Sequence, residues 1–153
     1  YLGAMVAMAN VVGNIAAGWL IGRGVAPARL LMTSFVVMGI CAALVFAPFT
    51  EPLAKTLYGI LFSAFGGLFP GTAFALAPRL AARPSHIALM SGLLLQGAGI
   101  GQTLGPLMVG ALVERGGSWA YASIEVLVMA SLGCVCAWLL GRRVLATPEK
   151  QAA

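Results

Sequence analysis

Aspartate does not occur in this chain, and glutamate occurs only at positions 51, 114, 125 and 149. That excludes a Ser-His-Asp triad. His86 is the single histidine, cysteine is limited to Cys41, Cys134 and Cys136, and these are not clustered at metal-ligand spacing. Cys134 and Cys136 are two residues apart, a spacing at which helical side chains do not face each other. All three cysteines lie inside apolar runs, where a thiol packs as a small hydrophobe. No Gly-Lys-Ser or Gly-Lys-Thr follows any of the 20 glycines, so there is no phosphate-cradling loop. The chain is therefore read as no enzyme, with no metal and no cofactor. Charge of either sign is scarce too: 8% of the residues are charged, against about 25% in a soluble domain. A net charge of +5 invites a nucleic-acid reading. The basic residues, however, sit in short breaks between apolar runs, so no nucleic-acid partner is expected.

What remains is 61% hydrophobic, the composition of an integral membrane protein whose partner is the lipid bilayer. Apolar runs of about 20 residues suffice to cross it. They fall at residues 2–21, 30–47, 53–77, 87–113 and 119–140, which predicts an all-α polytopic bundle of about five transmembrane helices. Pro48 and Pro78 close the second and third spans, Ser85 is placed to cap the fourth, and residues 114–117 form a tight turn. Residues 142–153 form a tail, disordered toward its end. The chain opens on Tyr1, already in apolar sequence and without the charged start of a signal peptide, so it reads as a piece cut from a longer protein. Arg23, Arg29, Arg79, Arg83, Arg142, Arg143 and Lys150 fall on one membrane face, and Lys55 and Arg115 on the other. Seven against two makes the first face cytoplasmic. The N-terminus is then outside and the tail inside, in a multi-pass protein of the cell inner membrane.

The chain is organised around the uncharged fourth span. Gly97, Gly101 and Gly105 recur every four residues on one helical face, which suits close helix packing, and Pro106 invites a bend. Gln96 and Thr103 share another stripe, close to Gly92 and Gly99. Either this helix packs on one face and looks into a wet cavity on another, or its amides bond to neighbouring helices. The third span repeats the small-residue pattern at Gly59, Ser63, Gly67 and Gly71. Its aromatic stripe of Tyr58, Phe62, Phe65 and Phe69 either lines a cavity or packs against lipid and neighbours. Gly66, Gly67 and Pro70 mark a hinge point. Asn10 and Asn14, four apart, are either interhelical hydrogen-bond donors or a cavity wall. Glu125 is the one acidic residue inside a span, which makes it a proton-coupling candidate. It lies only about two turns from the outer end, and the simpler reading is that it reaches interfacial water. His86 is a solvated helix-start residue.

Gly18-Trp-Leu-Ile-Gly22-Arg23 resembles the cytoplasmic loop motif of the major facilitator superfamily, with Gly18 and Arg23 matching. Gly22 stands where the motif carries its acid, which argues against a charge relay here. Gly101-Gln-Thr-Leu-Gly105-Pro106 resembles the family's Gly-x-x-x-Gly-Pro helix motif. The order, spacing and sidedness of these segments imply helices eight to twelve of a twelve-helix transporter, that is, a partial major-facilitator-type fold. The resemblance implies alternating access by rocking of two halves around a pathway for a small-molecule substrate, the missing N-terminal half being the partner. It places Asn10, Asn14, Tyr58, Phe62, Gln96 and Thr103 on or beside that pathway, and the fifth span at the periphery. The rival expectation is a membrane scaffold or assembly subunit that transports nothing.

Overall fold

The computed structural model describes residues 1–81 and 83–145. Their architecture is five helices: α1 (Leu2–Gly22), α2 (Pro27–Phe46), α3 (Pro52–Leu80), α4 (Ile87–Gly116) and α5 (Ala120–Leu145), with one 3-10 turn at Pro84–His86 ahead of α4. All five are long and apolar enough to cross a membrane. The ends have local causes. Prolines open α2 and α3 at their first positions, where a missing N–H costs nothing. Gly117 closes α4 in the left-handed conformation (φ 65°), which a residue with a side chain rarely adopts.

Several boundaries differ from the expectation. Helix α3 continues past Pro78 to Leu80, and α4 continues through Glu114 and Arg115 to Gly116, so the predicted tight turn is reduced to Gly117 and its successors. A proline forfeits only one hydrogen bond when the turns on both sides are helical. Pro70, Pro78 and Pro106 are all carried inside continuous helices. Ser85 lies in the 3-10 turn, and α4 starts from His86 with no side-chain cap. Arg142 and Arg143 belong to α5 rather than to a tail. Lys150 and the tail segment from residue 146 lie outside the described residues.

Packing follows from where backbones can touch. Helices α1 and α3 run parallel and in direct contact. A Cβ at Gly13 would overlap the Ala64 carbonyl oxygen, and one at Gly67 would overlap that of Asn10. One at Gly71 would lie 2.7 Å from the Asn14 oxygen and 2.8 Å from Ala17 Cβ. The other side of α3 takes α2, through Phe35 on Phe69 with ring centroids 5.3 Å apart. Helix α2 in turn pairs antiparallel with α5. Ala28 meets Gly141, Phe35 meets Gly133 and Gly39 meets Ala130, while Phe46 stacks on Trp119 at 6.3 Å. Leu31, Leu76 and Ala137 form the common core of α2, α3 and α5. Helix α4 leans lightly on α3 and α5 and has no buried residue.

The α1–α3 contact gives the first prediction. Gly67→Ala should destabilise the fold by about 1–3 kcal/mol, the usual cost of overpacking, because the obstacle is backbone. Gly59 belongs to the same sequence stripe but has nothing within 4 Å of its Cβ position. Gly59→Ala should therefore stay within about 0.5 kcal/mol of wild type. Thermal unfolding of both variants in one detergent compares them directly.

Candidate functional site

Polar side chains inside the spans divide into three groups. The first is the α1–α3 seam. Asn10 Nδ2 donates to the Ser63 carbonyl at 3.1 Å, and Ser63 Oγ donates to the Val6 carbonyl at 2.7 Å. Both bonds cross between helices, so Asn10 and Ser63 join α1 to α3. Asn14, one turn further on, is exposed. Tyr58 and Phe62 are half-buried on α3, and Phe69 at the end of their stripe is turned to Phe35.

The second group is on α4. Gln96, Gln102 and Thr103 are exposed, and the Thr103 hydroxyl donates to its own helix at Gly99, 2.9 Å away. A Cβ at Gly97, Gly101 or Gly105 would meet nothing within 4 Å. Gly97 and Gly101 instead border an open cleft of about 390 Å³, whose opposite side is Phe69, Pro70, Ala73 and Phe74 of α3. The substantial helix contacts do not join α1 to α4. The Asn10 and Gln96 groups are thus held on separate parts of the bundle.

The third group is buried. Glu125 is 9% exposed, and its Oε2 has no hydrogen-bond partner among the described residues. This corrects the expectation of a side chain reaching interfacial water. Ala122, one turn earlier, is 0% exposed, and Ala130, Ala137 and Gly141 are buried along the same helix. Glu125 therefore lies among the positions of α5 that are withdrawn from the surface. Thr72 on α3 is also fully buried with an unpartnered Oγ1, and sequence reasoning had passed it over.

Also missed was a third small-residue stripe, Gly133, Ala137 and Gly141, at the same stride of four. The signal was there in plain spacing, and this is the stripe on which α2 packs. In the loop motif, Gly18 and Gly22 are exposed with open space around them. The Arg23 guanidinium lies 3.8 Å from the centre of the Trp19 ring rather than against an acid.

The sequence model of the Major Facilitator Superfamily matches residues 1–153. The chain belongs to that family, a family of membrane transporters, and its five helices are a partial form of the family's fold. No curated protein and no solved structure matches it.

The seam bonds carry the second prediction. Asn10→Ala should lower thermal stability by about 0.6 kcal/mol, the average for an interhelical side-chain bond in a bilayer. Gln96→Ala should leave stability unchanged, since the side chain is exposed. Unfolding in detergent reads both.

Proposed function

We propose that this chain is the C-terminal part of a secondary transporter, helices eight to twelve, that moves a small molecule across the inner membrane by alternating access. The observation that carries this is α4. It is a 30-residue helix without a single buried position, with glycines on one stripe and Gln96, Gln102 and Thr103 on others. An amide left in hydrocarbon is costly unless it meets a partner or water. A face of this kind fits one wall of a pathway whose opposite wall is the N-terminal half. The arginine-rich ends of the helices are on the cytoplasmic side in this reading, by the seven-to-two bias of basic residues. The antiparallel pairing of α2 with α5 and the parallel pairing of α1 with α3 agree with successive crossings.

In the full-length protein, Gln96→Ala should weaken apparent substrate affinity by about 5- to 150-fold with expression intact, the loss of 1–3 kcal/mol expected when a polar substrate group is left unpaired. The chain by itself should give no uptake above empty liposomes. Uptake by the isolated chain would point to a self-assembling channel, and unchanged affinity in the variant would remove Gln96 from the pathway. Orientation is tested separately, by single-cysteine labelling. A cysteine at position 83 should resist an impermeant reagent applied from outside.

Glu125 supports a second reading, in which it carries a coupling proton. The supporting observation is its burial with an unpartnered carboxyl oxygen. On that reading Glu125→Gln abolishes proton-driven transport while substrate exchange survives. Retention of proton-driven transport would reduce Glu125 to a packing residue.

A further inference from the structure

Tryptophan occurs at positions 19, 119 and 138, and two of the three repeat one arrangement. Trp19 lies four residues before Arg23 near the end of α1, and Trp138 lies four residues before Arg142 near the end of α5. Residues four apart on a helix are neighbours on one face. In each pair the guanidinium carbon is 3.8 Å from the centre of the ring. All four side chains are exposed.

Packing sets the two pairs at one level. Ala17 meets Gly71, which puts Trp19 level with residue 73 of the parallel helix α3. Ala137 meets Leu76 in the core, which puts Trp138 close to that same stretch of α3. The rings are therefore within about one helical turn, 5.4 Å, of each other along the bundle. They are on separate flanks, since α1 packs on α3 while α5 packs chiefly on α2. The opposite ends of these two helices are aromatic as well. Tyr1 precedes Trp19 by eighteen residues, and Trp119 precedes Trp138 by nineteen. At 1.5 Å per residue these separations are about 27 and 28 Å, close to the roughly 30 Å of a bilayer's hydrocarbon core. Tyr1 and Trp119 are exposed, and Trp119 stacks on Phe46 at the end of α2.

An indole has an apolar body and one N–H, which suits the layer between hydrocarbon and water. A guanidinium is costly in hydrocarbon and extends to that same layer. Stacked on the ring, it covers one apolar face and leaves N–H groups at its edge for an acceptor. We propose that Trp19 with Arg23, and Trp138 with Arg142, bind the headgroup layer of one leaflet. The rings lie at the level of the acyl carbonyls, and the guanidinium edges meet lipid phosphate. Tyr1 and Trp119 lie in the corresponding layer of the other leaflet. Two anchors at one level on separate flanks fix both the depth and the tilt of the bundle. Glu125, six residues past Trp119, is then about 9 Å inside the hydrocarbon. Zwitterionic and anionic phospholipids both carry the phosphate, so no preference between them follows.

The test uses single-tryptophan forms of the full-length protein that keep Trp19 or Trp138 and have phenylalanine at every other tryptophan. They are reconstituted in phosphatidylcholine brominated either near the carbonyl end or near the methyl end of its chains. Fluorescence of both forms should be quenched more strongly by the shallow bromines. Arg23→Leu with Arg142→Leu should shift quenching toward the deep ones. If the tryptophan-depleted forms do not keep the wild-type melting temperature, nitroxides on Gly18→Cys and Leu139→Cys, in a background without the native cysteines, read the same depth. Relative to oxygen, a water-soluble nickel chelate should reach them more often than nitroxides on Val11→Cys and Val128→Cys, which are exposed near mid-span. Stronger quenching by the deep bromines, or equal nickel access at all four positions, would overturn the proposal. Absence of quenching by either lipid would place the ring against protein and overturn it too. Unchanged quenching in the arginine variant would overturn the role of the guanidinium groups.

Discussion

The structure depends on direct backbone contact between α1 and α3. In a bilayer the surrounding solvent is as apolar as a leucine side chain, so burying hydrocarbon gives two helices little reason to associate. Close approach supplies dispersion contacts in place of that driving force, and it requires that no Cβ intervene. Gly13 against Ala64, and Gly67 against Asn10, meet that requirement. The approach also brings Asn10 and Ser63 within hydrogen-bonding distance of carbonyls on the opposite helix. With α3 held in this way, its other side is presented to α2. Helix α5 is then carried by α2 through Gly133 and Gly141.

Helix α4 shows what happens without that contact. Its glycines have the same stride as those of α3, yet open space surrounds them, and a cleft of about 390 Å³ separates Gly97 and Gly101 from Pro70 and Phe74. A glycine stripe permits a neighbour but does not attract one. The helix therefore keeps its amides exposed.

Three stripes of small residues thus have one spacing and different surroundings. The α5 stripe of Gly133, Ala137 and Gly141 receives α2. The α3 stripe receives α1 at Ser63, Gly67 and Gly71 but not at Gly59, which is level with the first residues of α1 and has nothing within 4 Å of its Cβ position. The α4 stripe receives no helix of the described chain. Glu125 follows the same logic in reverse. Its sequence position, two turns from a helix end, suggested access to water, but its place beside Ala122 withdraws it from the surface.

The sequence by itself determined the number of helices, their approximate ends, and the membrane as their solvent. These follow from run length and from the distribution of charge, which are one-dimensional properties acting through the cost of unpaired backbone and charge in hydrocarbon. It also carries the pattern that the model of the family matches over residues 1–153. Only the tertiary structure decided which stripe meets which, that Asn10 bonds across a seam while Gln96 is exposed, and that the Thr72 hydroxyl and one Glu125 carboxyl oxygen are buried without a hydrogen-bond partner among the described residues. It alone gathered Leu31, Leu80, Met90 and Leu140 around one cavity. The reason is geometric: helical periodicity states which residues share a face, whereas what lies opposite that face depends on the crossing of helices distant in the chain, and no local spacing encodes it.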